Sequence, residues 1–127
     1  MKQRTTSITH VRTVTVPVAD QQRALEFYRD KLGLATTIDA SFGEGQRWIE
    51  VAPANGGTSI ALPPRGEVSP GVDTGIRLST QNAEADLAAL RAAGVDVDGQ
   101  VLNLPGVPPM FSFRDPDGNT LYVVEQM

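Results

Sequence analysis

The side-chain types that most often do chemistry are scarce in this chain. There is one histidine, His10, and no cysteine. The missing thiols exclude disulfides and thiolate metal sites. A lone His at a strand start does not build a Ser-His-Asp triad, and no G-x-S-x-G elbow accompanies it. "GEGQRW" (43–48) lacks the third glycine and the following helix of a dinucleotide fingerprint, and no G-x-x-x-x-G-K-[ST] is present. Asp115 and Asp117 invite a calcium reading. An EF-hand loop needs D-x-[DN]-x-[DN]-G, however, and Gly118 arrives too early, so "DPDG" (115–118) reads as a tight turn. Glu125 reads as a solvated strand end and His10 as an exposed strand entry.

The elements that must position any site follow from periodicity. Residues 1–10 are polar and read as a loose lead-in. "TVTVPV" alternates with Val14, Val16 and Val18 on one face, which is a half-buried strand. Asp20 is an N-cap; Leu25, Tyr28 and Leu32 recur at helical spacing; and Gly33 stands where a helix ends, so a helix is predicted over 21–32. Strands near 34–39, 46–52 and 58–62 follow, separated by "FGEG" and "ANGG". The order then recurs. "TGIRLST" alternates, Asn82 caps a helix over 83–93 that ends at Gly94, and strands follow near 95–103, 109–114 and 119–125. Caps and terminal glycines both repeat after about 60 residues, which is an internal duplication. One helix per four strands gives an α+β fold of two four-stranded sheets, each with a helix on one face. The 127 residues fit one domain (1–127), with modules at about 11–63 and 72–127.

Composition bounds the partners. A net charge of -4 argues against nucleic acid. No apolar run approaches the roughly 20 residues that span a bilayer, so no membrane is expected. Without cysteine or an apolar leader segment, the chain is expected to be cytoplasmic. Twelve Gly and nine Pro imply short connections. Two small sheets with open edges in so short a chain imply a homodimer.

Two segments, "VPVADQQRALEFYRDKLGL" (16–34) and "FRDPDGNTLYVVE" (113–125), resemble the vicinal oxygen chelate superfamily of glyoxalases, bleomycin-resistance proteins and extradiol dioxygenases. "IRLSTQNAEADLAALRAAGV" (76–95) is similar to the opening of its second module. The resemblance implies paired β-α-β-β-β modules forming a curved mixed sheet around a cleft. Metal-dependent members place one ligand, usually His, Glu or Gln, on each of four cleft strands. The matching positions are Thr13, Ala61, Gly75 and Tyr122, which is not a ligand set, so no metal or other cofactor is expected. If these four face the cleft, alternation adds Thr15, Ser59, Arg77, Ser79 and Thr120 to that face and sends the aliphatic residues to the helices. That face then holds no carboxylate and no imidazole. The resemblance also places Met110 and Ser112 in the cleft. Trp48 is a further candidate, but "RWIEVA" does not sort by period and leaves its face open.

Arg77 reads either as an anchor for an anionic or carbonyl ligand or as half of an ion pair with Glu50 or Asp73. Tyr122 reads as a stacking or hydrogen-bonding wall, or as a plug. The leading expectation is a metal-free binding protein of the glyoxalase and bleomycin-resistance type that sequesters a planar or acidic organic ligand. The alternative is a glyoxalase- or dioxygenase-like lyase or oxidoreductase, with unorthodox metal ligands or with metal-free acid-base catalysis by Tyr122. A third reading is a structural homologue that takes no small ligand.

Overall fold

A computed structural model describes residues 5–126. The polar lead-in is described only from residue 5, where it is exposed and irregular; its first four residues lie outside the described range. The elements are β1 (Thr13–Thr15), α1 (Gln21–Glu26) continued by a π-helical turn (Phe27–Lys31), β2 (Ala35–Gly43), β3 (Gln46–Ala52), β4 (Ser59–Ala61), β5 (Asp73–Thr80), α2 (Ala83–Ala92), β6 (Asp96–Val97), β7 (Met110–Arg114) and β8 (Thr120–Glu125). They form two four-stranded mixed sheets, β1-β4-β3-β2 and β5-β8-β7-β6. The identical strand order is the predicted duplication: an α+β fold of paired β-α-β-β-β modules. No helix is long and apolar enough to cross a membrane.

Both helices start where their caps require. The Asp20 carboxylate accepts from Arg23 N, and the Asn82 side chain accepts from Ala85 N. The first helix widens in its last turn, where Leu32 N donates to Phe27 O, and the consecutive Phe27 and Tyr28 are both buried. Two strands are shorter than their sequence pattern. Pro17 ends β1 early, since it has no N–H to offer a ladder, although Val16 and Val18 stay buried. The strand expected over 95–103 keeps only Asp96–Val97 and a later bridge from Leu102 to Met110. Between them the Arg91 guanidinium takes the carbonyls of Asp98 and Gly99, which draws the chain off the sheet.

The aliphatic faces of both sheets meet in one continuous core. Val16, Ile49, Val51 and Ile60 come from the first sheet and Phe111, Phe113, Leu121 and Val123 from the second, with Leu25, Phe27, Leu87 and Leu90 from the helices. Phe27 packs on Phe113 with ring centroids 6.2 Å apart, joining the modules through apolar contact.

A buried polar clasp joins them as well. The "DPDG" segment is the expected turn, but its acids face inward onto the other module. Asp115 accepts from the Tyr28 hydroxyl at 2.7 Å, from Asn119 Nδ2 at 3.0 Å and from the backbone amides of Asp117 and Asn119. Asn119 Nδ2 also donates to Pro17 O at 2.7 Å, and Asp117 accepts from Ala19 N and from Arg23 at 2.9 Å. Burial, and then the neighbouring Asp115 charge and hydrogen bond, push the Tyr28 phenol far above its ordinary value. Glu125 is likewise not simply solvated. Its Oε1 accepts from Ala83 N, the first amide of α2, and so closes a helix end that would otherwise lack a partner.

Tyr28→Phe removes one donor from a buried carboxylate that keeps its others. It should cost about 1–3 kcal/mol, read as a lower urea midpoint at unchanged slope. An unchanged midpoint would show that the clasp contributes nothing to stability.

Candidate functional site

Each sheet turns its non-aliphatic face away from the shared core. On the first sheet Thr13, Thr15, Ser59 and Ala61 share that face as alternation demands, with Thr13 paired to Ser59 and Thr15 to Ala61. The Thr13 and Ser59 hydroxyls are 2.9 Å apart. The expectation that this face holds no carboxylate is wrong. Glu50 pairs directly with Ala61 in the ladder and points the same way, only 3% exposed. It accepts from Ser59 Oγ at 2.7 Å and from Trp48 Nε1 at 2.8 Å, with the Arg12 guanidinium at 3.4 Å. Those donors, Trp48 first, outweigh desolvation and hold the Glu50 carboxyl below the usual carboxylate range. Trp48 is therefore on the polar face. The signal was present in "RWIEVA": Ile49 and Val51 are the core pair, and Trp48, Glu50 and Ala52 alternate with them. An apolar Trp and Ala on the polar side hid the period.

On the second sheet Arg77, Ser79, Thr120, Tyr122, Met110 and Ser112 share a face, with Tyr122 paired to Arg77 on one side and to Ser112 on the other. The Arg77 guanidinium lies 4.6 Å from the Tyr122 ring centroid and donates to Gly75 O at 2.9 Å. Neither expected ion pair forms. Among the described residues no carboxylate lies within ion-pair distance of Arg77. Gly75 has φ of +71°, inside a register shift between Asp73 and Arg77, so a side chain there would strain the bulge that aims Arg77.

This face also holds carboxylates that were not expected. Asp73 accepts from the Tyr122 hydroxyl at 2.7 Å. Asp98 accepts from Ser112 N at 2.7 Å and from Arg114 at 3.2 Å. Asp98 escaped notice because a continuous strand was expected through it. The Asp73 hydrogen bond raises the Tyr122 phenol above its ordinary value, and the opposing pull of Arg77 does not reverse this. A phenol held protonated in this way is a poorer general base than a free one.

The four positions matched to family metal ligands do not fit a metal. Ala61 and Gly75 carry no donor atom, the Thr13 hydroxyl is engaged with Ser59, and the Tyr122 phenol donates to Asp73. Among the described residues no group of three or more His, Cys, Asp and Glu converges as metal ligands would. His10 is exposed, and its Nδ1 lies 2.7 Å from the hydroxyl of its neighbour Thr9.

Among the described residues no hydrogen bond or ion pair links Thr13, Trp48, Glu50 or Ser59 to Arg77, Ser112 or Tyr122. Between the modules lies a largely aliphatic groove of about 790 Å³, lined by Val14, Ile60, Leu32, Leu34, Ile76, Leu78 and Val123, with Lys31, Arg77 and Asp86 also on its lining. The strands beside it, β1 and β5, are each the edge of their sheet.

Asp73→Asn should lower the Tyr122 pKa toward the ordinary value of about 10, read by tyrosinate absorbance. Because the folded phenol has the raised pKa, its contact with Asp73 stabilises the native state in full below about pH 10 and is lost as pH rises through the folded pKa. No shift on substitution would show that Asp73 does not control the phenol.

The family described as Glyoxalase/Bleomycin resistance protein/Dioxygenase superfamily matches residues 7–123. A member of that superfamily from Sphaerobacter thermophilus DSM 20745 superposes with a TM-score of 0.86 at 31% identity, covering 94% of this chain and 98% of that one. TnmS3, described as an antibiotic binding protein from Streptomyces sp. CB03234, superposes with a TM-score of 0.84 at 35% identity, covering 96% and 99%. The uncharacterized protein YetH of Bacillus subtilis (strain 168) is 28% identical over 120 residues, which are 93% of this chain and 99% of that protein.

Proposed function

We propose, from the premise that this chain belongs to the glyoxalase, bleomycin resistance protein and dioxygenase superfamily, that it is a cytoplasmic binding protein sequestering a planar organic ligand that carries an acidic or carbonyl group. One observation carries the reading. Arg77 is stacked on Tyr122 on an outward sheet face and, among the described residues, forms an ion pair with no carboxylate. A guanidinium on a ring offers a flat surface and a charge-assisted donor together, which suits an aromatic acid or quinone-like carbonyl. Met110 and Ser112 extend this wall, and Trp48, Thr13 and Thr15 form the other, with Ser59 and Ala61 buried behind them. The antibiotic-binding neighbour supports the same kind of role. The lyase or oxidoreductase alternative is less favoured, because two of the matched metal positions carry no donor atom, the Thr13 and Tyr122 oxygens are engaged elsewhere, and the Tyr122 phenol is raised above its ordinary value.

The cleft is completed by a second copy of the chain. The edges β1 and β5 each have one neighbour, and the groove between them exposes aliphatic surface. Pairing β1 of one copy with β5 of the other covers the groove. It also sets the Trp48 wall of one protomer against the Arg77–Tyr122 wall of its partner, which a single chain does not do.

Calorimetric titration against planar aromatic acids and their neutral analogues tests the ligand reading. Arg77→Ala and Tyr122→Ala should each weaken binding of the acids about tenfold, or about 1.4 kcal/mol, with the fold intact. Binding that ignores both substitutions would overturn it. By light scattering, Leu78→Asp in the groove should give a monomer that has lost ligand affinity. A wild-type monomer at micromolar concentration would refute the shared cleft.

A further inference from the structure

We infer that Glu50 is a positioning residue, whose buried carboxylate fixes the Trp48 indole as a flat wall of the cleft so that this wall acts by aromatic stacking and not by charge. The inference rests on the binding role proposed above and adds to it what the first sheet recognises. Trp48 projects from the polar face with 36% of its surface exposed, an unusual place for an ordered indole. Its ring N–H donates at 2.8 Å to Glu50 Oε2, two residues along the same strand, which restrains both side-chain torsions.

The carboxylate is itself held from several sides. Ser59 Oγ donates to Oε1 at 2.7 Å, Thr13 Oγ1 stands 3.5 Å from the same oxygen, and the two hydroxyls brace each other at 2.9 Å. Arg12, largely exposed, is the charged group facing it at 3.4 Å. β1 and β4 present the Thr13 and Ser59 hydroxyls and the Ala61 methyl, and β2 presents Ile38, the other ladder partner of Glu50. Burying a carboxylate opposite Ala61 is costly, and an apolar residue there would pack without that cost. What the charge secures is the ring. With its lone pairs taken by protein donors, Glu50 offers no open acceptor to a ligand amine. The first sheet therefore contributes a surface to stack on, and the charge selection belongs to Arg77.

Trp48 is the sole tryptophan, so time-resolved fluorescence anisotropy of the full-length, ligand-free protein reports on this ring alone. Wild type should depolarise only with overall tumbling. Glu50→Ala should add a fast local component, and Glu50→Gln, which keeps an acceptor oxygen, should largely restore the slow decay. An indole equally rigid in Glu50→Ala overturns the inference. The paired binding probes are 2-naphthoate and 2-naphthylmethylammonium. Naphthoate should bind more tightly than the ammonium and lose about tenfold in Glu50→Ala but less than threefold in Glu50→Gln. Naphthoate binding that is unchanged while the ring is loosened overturns the role in recognition. A ring that loosens in a protein binding neither probe supports the positioning and counts against the proposed ligand class.

Discussion

The arrangement of this molecule depends on one buried carboxylate. Asp115 lies in a turn of the second module and binds the Tyr28 hydroxyl of the first, while Asn119 beside it holds the Pro17 carbonyl. Hydrogen bonds to a charged acceptor are the strong class, and a buried acceptor that loses a donor is penalised more than an exposed one. Together with the Phe27–Phe113 contact, the clasp holds the first helix against the second sheet. The aliphatic faces of both sheets then drain into one core, and their other faces point away from it.

That orientation separates what the strand pattern puts together. Thr13, Ser59 and Glu50 belong to one face turned from the core, Arg77 and Tyr122 to another, and the groove between β1 and β5 is largely aliphatic, with Lys31, Arg77 and Asp86 also on its lining. The two faces also differ in electrostatic character. Glu50 is surrounded by donors and closed to further partners, whereas Arg77 rests on a ring and on a backbone carbonyl and keeps its charge available. A flat wall without open charge and a flat wall with a cation complement each other across a cleft that takes an aromatic acid.

Period-two alternation made much of the fold legible before any coordinates. It assigned the valines of β1 and the aliphatic residues of β5 and β8 to the core, and it placed Arg77 and Tyr122 on one face, because side-chain direction along a strand is a local property of the backbone. Caps and terminal glycines located both helices for a similarly local reason. Reading failed where polarity and facing diverged. Trp48 and Ala52 are apolar residues on a polar face, and Asp98 is an acid in what looked like an unbroken strand.

The sequence by itself determined the duplicated modules, the strand faces and the poverty of metal ligands, all of which follow from spacing and residue type. Only the tertiary structure decided what those residues touch. Asp115 and Tyr28 are 87 positions apart and Asn119 and Pro17 are 102 apart, and no local pattern encodes which turn will dock on which helix. The filling of Glu50's lone pairs, the Asp73 bond that keeps Tyr122 protonated and the freedom of Arg77 from a carboxylate are likewise set by packing. Each depends on distances held to within a few tenths of an ångström between groups that only the folded core brings together.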